Sequence, residues 1–224
     1  MKKPKIFIAC DTTNIKKINR IFKETEKTKK NFGYKFGLEF LNSKNGRKFI
    51  LKHKNKITFG DYKLADIPNT CASTIEAVKD LKFNYITIHI SAGLEALKAA
   101  KKVSGTTKLI GVTILTSLSN KTLKEIGFQK DLKKLVLHQA KLAAKANLDA
   151  IVCSPHEIKT VKKVFNKEII TPGVRFASDN TNDQKRVMSP KNAFLNGATS
   201  IVMGRSITNG NLKKNIQKLI KELS

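Results

Sequence analysis

Short apolar, β-branched runs recur along the chain, and each is followed by a stretch whose apolar residues fall at helical spacing. The runs Lys5–Cys10, Tyr34–Phe40, Ile57–Tyr62, Tyr85–His89, Lys108–Ile114, Ala150–Cys153, Ile169–Thr171 and Ser200–Met203 are predicted strands. The intervening segments predict amphipathic helices. In the fifth, Leu132, Leu135, Val136, Gln139, Leu142 and Ala143 share one face, and Leu212, Ile216, Leu219, Ile220 and Leu223 do the same near the end. Start and stop signals agree. Ser154-Pro155 and Ser189-Pro190 each place a capping hydroxyl before a proline at the first helical position, and Gly197 follows Asn196 as a helix stop. Eight strands alternating with eight helices predict a parallel sheet covered by helices. Eight such units favour a closed α/β (β/α)8 (TIM) barrel over a doubly wound sheet. No linker or shift of composition interrupts residues 1–224, so a single barrel domain is expected. Functional side chains of such a barrel belong at the C-terminal ends of strands and in the loops after them.

Composition narrows the class. A chain with 40% hydrophobic residues can build a substantial core. The apolar run Ile6–Cys10 stops at Asp11, too short for a signal peptide, and nowhere do about 18 apolar residues run together as a membrane span requires. A soluble, cytoplasmic protein with no membrane partner is expected. Cys10, Cys71 and Cys153 are odd in number and form no CxxC; His53, His89, His138 and His156 show no paired ligand spacing. Neither a disulfide framework nor a metal site is expected, and reduced, buried thiols fit a reducing compartment.

The formal charge of +27 would ordinarily suggest nucleic acid. The basic residues are instead scattered through every segment, without base-stacking aromatic motifs or a basic arm, so no nucleic-acid partner is expected. Lysine is enriched alongside Asn and Ile, as a nucleotide composition rich in A and T would produce. Of 44 basic residues only Arg20, Arg47, Arg175, Arg186 and Arg205 are arginine. An arginine kept in such a background points to a need for the rigid fork that binds phosphate or carboxylate.

The sharpest motif is Asp61-Tyr62-Lys63-Leu64-Ala65-Asp66-Ile67-Pro68-Asn69-Thr70, at the end of the third strand. Asp61 and Lys63 are two apart, so a regular strand points both into the barrel. Asp66 follows in the loop. Charged side chains are seldom buried without pairing or function, and an internal salt bridge at the barrel mouth is the plain structural reading.

The run DxKxxDIPNT resembles the signature of the orotidine 5′-monophosphate decarboxylases, and the resemblance extends over nearly the whole chain. It takes in Ala9-Cys10-Asp11, Lys35-Phe36-Gly37-Leu38-Glu39, His89, Val112-Thr113-Ile114-Leu115-Thr116-Ser117 and Cys153-Ser154-Pro155-His156-Glu157. Further matches are Thr171-Pro172-Gly173-Val174-Arg175, Asp183-Gln184-Lys185-Arg186 and Gly204-Arg205-Ser206-Ile207-Thr208. The resemblance implies a cofactor-free decarboxylase of orotidine 5′-monophosphate with Lys63, Asp61, Asp66 and Lys35 as its catalytic group. It implies that Asp11 and Lys35 hold the ribose hydroxyls and that Lys63 donates the proton replacing the carboxylate. Asp66 would reach into a neighbouring subunit's site with Ile67 and Thr70 nearby, making a homodimer. Thr116 would line the base pocket, and Arg175, Gln184, Gly204 and Arg205 would bind or close over the phosphate.

The polar segment Phe176 to Lys185 reads as a lid. Arg186 suits a structural salt bridge as well as a ligand contact, His89 suits packing near the site, His156 an exposed turn, and Tyr62 a place under a helix. Glu39 would point the same way as Lys35, with no assigned role. The nearest rival is the magnesium-dependent sugar-phosphate decarboxylases and synthases, which resemble the same barrel and DxKxxD core. They carry an acidic residue where this chain has Lys35 and lack the IPNT sequence. A catalytically dead scaffold is disfavoured because every site residue is present.

Overall fold

Strands that alternate inward and outward side chains close into a barrel when their inward residues fill the interior in layers. In the computed structural model, which describes residues 6–179 and 187–224, the strands are β1 (Ile6–Ala9), β2 (Phe32–Phe36), β3 (Thr58–Leu64), β4 (Tyr85–His89), β5 (Lys108–Val112), β6 (Ala150–Val152), β7 (Glu168–Thr171) and β8 (Ser200–Met203). All neighbours are parallel, and β8 pairs with β1 to close the barrel. Phe7, Phe59, Ile110 and Ile170, from β1, β3, β5 and β7, are buried in the interior cluster. The Phe7 ring meets Phe59 and Tyr85 edge-on, both at 5.3 Å. Gly33 on β2 makes that possible, since a β-carbon there would lie 2.6 Å from a Phe7 ring carbon.

A larger apolar shell lies between the strands and the helices. The helix Leu132–Lys145 buries Leu135, Val136, Gln139 and Ala143, and Leu212–Glu222 buries Leu212, Ile216 and Leu219, so both predicted faces turn inward. Ser189 caps Pro190–Leu195 by accepting from the Asn192 N–H, and Gly197 follows with φ +102, a left-handed stop. Tyr62 turns outward and packs edge-on against Phe83. Among the described residues no helix is long and apolar enough to cross a membrane.

Two expectations shift. The second strand ends at Phe36, not Phe40: Gly37 is extended and Leu38–Leu41 is helical, which buries Phe40 in the outer core. Glu39 is therefore exposed on a helix and shares no strand face with Lys35. The helix expected directly after Ser154-Pro155 begins only at Ile158. Ser154 and Glu157 close a turn first, the Glu157 N–H donating to the Ser154 carbonyl at 2.9 Å and the Ser154 N–H to Glu157 Oε2 at 3.0 Å.

Candidate active site

Four charged side chains meet at the C-terminal ends of the first three strands. Lys35, the penultimate residue of β2, points inward and donates to Asp11, just after β1, at 2.9 and 3.2 Å. Its ammonium also lies 3.2 Å from Asp61 Oδ2 on β3. That same oxygen accepts from Lys63 Nζ at 2.7 Å. The charges thus alternate along a row, Asp11, Lys35, Asp61, Lys63. The row favours the charged forms of its two middle members, Lys35 and Asp61. Burial alone would lower the Lys35 pKa, but Asp61 and Asp11 outweigh it and leave it raised. Burial alone would raise that of Asp61, but Lys35 and Lys63 bring it below the ordinary carboxylate range. His89, half-buried at the end of β4, is lowered first by burial and then by the nearby Lys63 charge, so it favours the neutral ring.

Asp61 and Lys63 do meet, but not by regular alternation. The β3–β4 pairing passes from Gly60–Ile86 to Leu64–Ile88, so Asp61, Tyr62 and Lys63 all stand opposite Thr87. Lys63 takes up this slack at φ +49, a conformation seldom adopted by a residue with a side chain.

Beside the row lies a cavity of about 400 Å³, lined by Asp11 and Lys35 on one side and by Gly173, Arg175, Gly204 and Arg205 on the other. This size suits a small ligand. Arg175 is buried just after β7, and Arg205 opens the short helix Arg205–Thr208 that follows β8. Loops after the seventh and eighth strands, with a short extra helix, are where such barrels hold phosphate. Thr116 sits in the turn after β5, at the same end of the barrel but not lining this cavity.

Asp66 stands apart from the row. Its Oδ1 accepts from the Ile67 N–H at 2.7 Å, and among the described residues no ion pair involves it. Asp66, Ile67, Pro68, Asn69 and Thr70 form an exposed run at the start of the helix Pro68–Ala77, with Ile67 66% exposed. Gln184, Arg186 and most of the segment read as a lid lie outside the described residues. His156 is exposed, as its turn position implied.

Two residues were given no role by the motif reading. Thr87, fully buried on β4, bonds both Asp61 and the Lys63 backbone. Strand alternation with Tyr85 and His89 already aimed it inward, which was the available signal. Gly37 lets Asp11 close on Lys35, because a β-carbon at Gly37 would lie 2.5 Å from Asp11 Oδ1. Nothing in the sequence announces that approach.

A row of alternating charges at the C-terminal mouth, beside an arginine-lined cavity, defines a (β/α)8-barrel protein built like an enzyme for an anionic ligand. Residues 4–218 match the Orotidine 5'-phosphate decarboxylase / HUMPS family, and the chain belongs to that family. It is 45% identical over 199 residues to the orotidine 5'-phosphate decarboxylase of Wolbachia sp. subsp. Brugia malayi (strain TRS), covering 85% of this chain and 87% of that one. Its identity to the protein of that name from Prochlorococcus marinus (strain MIT 9215) is 39% over 217 residues, 91% and 88% of the two chains. The crystal structure of orotidine 5'-phosphate decarboxylase from Lactobacillus acidophilus superposes with a TM-score of 0.81 at 29% identity, covering 99% of this chain and 100% of that one.

Proposed function

We propose that this chain decarboxylates orotidine 5′-monophosphate to uridine 5′-monophosphate and CO2, the last step of de novo pyrimidine nucleotide synthesis. The observation that carries the reading is the row Asp11–Lys35–Asp61–Lys63 at the barrel mouth, in a chain belonging to this family. Breaking the bond from the ring to the carboxylate releases CO2 and leaves the electron pair on a ring carbon. The Lys63 ammonium, held beside Asp61, stabilises that charge as it forms and then transfers a proton to the carbon. Water returns a proton to Lys63 afterwards. Enzymes lower barriers by roughly 8–23 kcal/mol, and no single ion pair supplies so much. The rest comes from the phosphate. Arg175, Arg205 and Gly204, with Gln184, hold it, and binding at that remote group orders the site and excludes water.

Asp11 and Lys35 take the ribose hydroxyls, and Thr116 lines the base pocket. Asp66, with Ile67 and Thr70, completes the site of a second copy of the chain; the exposed run Asp66–Thr70 and the absence of Asp66 from its own row support that homodimer. The chemistry uses side chains alone, without cofactor or metal, in the cytoplasm, where three free, buried cysteines fit a reducing medium. Lys35, bonded to two carboxylates, occupies the place where a magnesium-dependent sugar-phosphate enzyme would carry an acid.

The test is the ultraviolet absorbance of orotidine 5′-monophosphate incubated with pure protein, with and without EDTA. Absorbance should fall toward that of the uridine product whether or not chelator is present, and Lys63→Ala should abolish the change while melting like the wild type. No change at micromolar protein would refute the reaction, activity lost to EDTA would refute the metal-free chemistry, and near-wild-type turnover by Lys63→Ala would refute the proton donor.

A further inference from the structure

We propose that Thr87 is a positioning residue, its one hydroxyl fastening the Lys63 backbone to the Asp61 carboxylate. This rests on the decarboxylation proposed above, and it concerns a residue that lies outside every motif of the site. The Thr87 hydroxyl accepts from the Lys63 N–H at 2.8 Å and donates to Asp61 Oδ1 at 3.0 Å. A hydroxyl has one proton to give and lone pairs to receive with, so both bonds form at once and fix its rotor.

The need arises in β3. Three residues stand opposite Thr87, so the backbone there cannot follow the regular ladder. A buried N–H left without a partner is costly, and the Thr87 oxygen takes the Lys63 amide that the bulge displaces. Lys63 is thereby held at φ +49, with its ammonium 2.7 Å from Asp61 Oδ2. The result is a closed ring of bonds: Lys63 N–H to Thr87, Thr87 to one oxygen of Asp61, and the other oxygen to Lys63 Nζ. Thr87 fixes where the Lys63 side chain starts and which way the Asp61 carboxylate turns. It touches no reacting atom; it sets the angle from which the proton is delivered.

Thr87→Val keeps the shape and removes both bonds, whereas Thr87→Ser keeps the hydroxyl. Two measurements decide the proposal: steady-state kinetics on orotidine 5′-monophosphate, and a carboxyl-carbon NMR titration of Asp61 in ligand-free protein. The groups facing Asp61 are Lys35 from β2, Lys63 on its own strand and His89 from β4, and all remain in both variants. Thr87→Val should lower kcat by about 10- to 100-fold, the scale of a misplaced catalytic group. KM should stay within about threefold, because the phosphate and ribose contacts come from other strands. The Asp61 titration should move up by about one unit with loss of a hydrogen bond to the charged form. Thr87→Ser should restore both readings. A wild-type kcat with an unmoved Asp61 titration in Thr87→Val would overturn the proposal, as would a Thr87→Ser protein as slow as the valine variant. The titration needs no substrate, so it decides the role of Thr87 even where the wild type leaves orotidine 5′-monophosphate unchanged; that result refutes the reaction alone.

Discussion

Gly37→Ala isolates how closely the site is packed. The glycine has φ −84 and ψ 179, a conformation alanine adopts freely, so the substitution carries no backbone strain. What changes is space: the added carbon would sit 2.5 Å from Asp11 Oδ1, 3.3 Å from Asp11 Cγ and 3.5 Å from Lys35 Nζ. A carbon and a carboxylate oxygen need roughly 3.3 Å, so the Asp11 carboxylate must retreat by roughly 0.8 Å. The moving atom is the outer end of a side chain that is 50% exposed, so the fold gives way at little cost. The hydrogen bond from Lys35, now 2.9 Å, is lost with the movement. A charged hydrogen bond discounted for solvent contributes about 1–2 kcal/mol, which is a factor of about 5–30. The melting temperature should fall by less than about 8 °C. The kcat/KM for orotidine 5′-monophosphate should fall about 5- to 30-fold, mostly through KM, since Asp11 is assigned to ribose. Calorimetry and initial-rate kinetics on the same preparation read both numbers. Unaltered kcat/KM would refute the close-approach argument, and a melting temperature lower by about 8 °C or more would make Gly37 a folding residue instead.

The charge row also predicts a pH profile of stability. Asp61, lowered in the folded state, contributes stability that is complete above the ordinary 3.8 and is lost as pH falls through the lower folded value. Lys35, raised, contributes stability that is complete below 10.5 and is lost as pH rises through the folded value. Melting curves should therefore show no step from this pair between about pH 5 and pH 9, and a step there that Asp61→Asn removes would contradict the assignment. The proposed shared site predicts complementation. Asp66→Asn and Lys63→Ala, each inactive alone, should regain about a quarter of wild-type activity when mixed in equal amounts and allowed to exchange subunits, because half the dimers carry one intact site of two. Verified exchange without recovery would place Asp66 in its own chain's site.

What the sequence revealed depended on whether a residue was unusual for its own place. Tyr85–His89 and Ser200–Met203 are strands with the bounds their β-branched runs implied. Charges at strand ends, and arginines in a lysine-rich chain, stood out against their surroundings, and the structure gathers Asp11, Lys35, Asp61, Lys63, Arg175 and Arg205 at one mouth. The misjudged strand end has a local cause. Alternation continues through Leu38-Glu39-Phe40, and only burial of Phe40 in the outer core favours the helix there. Other features arise across strands and leave no local mark. The bulge at Lys63 exists because β3 must pass Thr87, and the space over Asp11 exists because Gly37 lies opposite a residue 26 positions earlier. Threonine and glycine are ordinary in such places, so their roles emerge only with their partners. Asp66 carries the same logic one level further. A single chain leaves it beside exposed Ile67, outside its own charge row, and the catalytic part proposed for it requires the surface of a second copy.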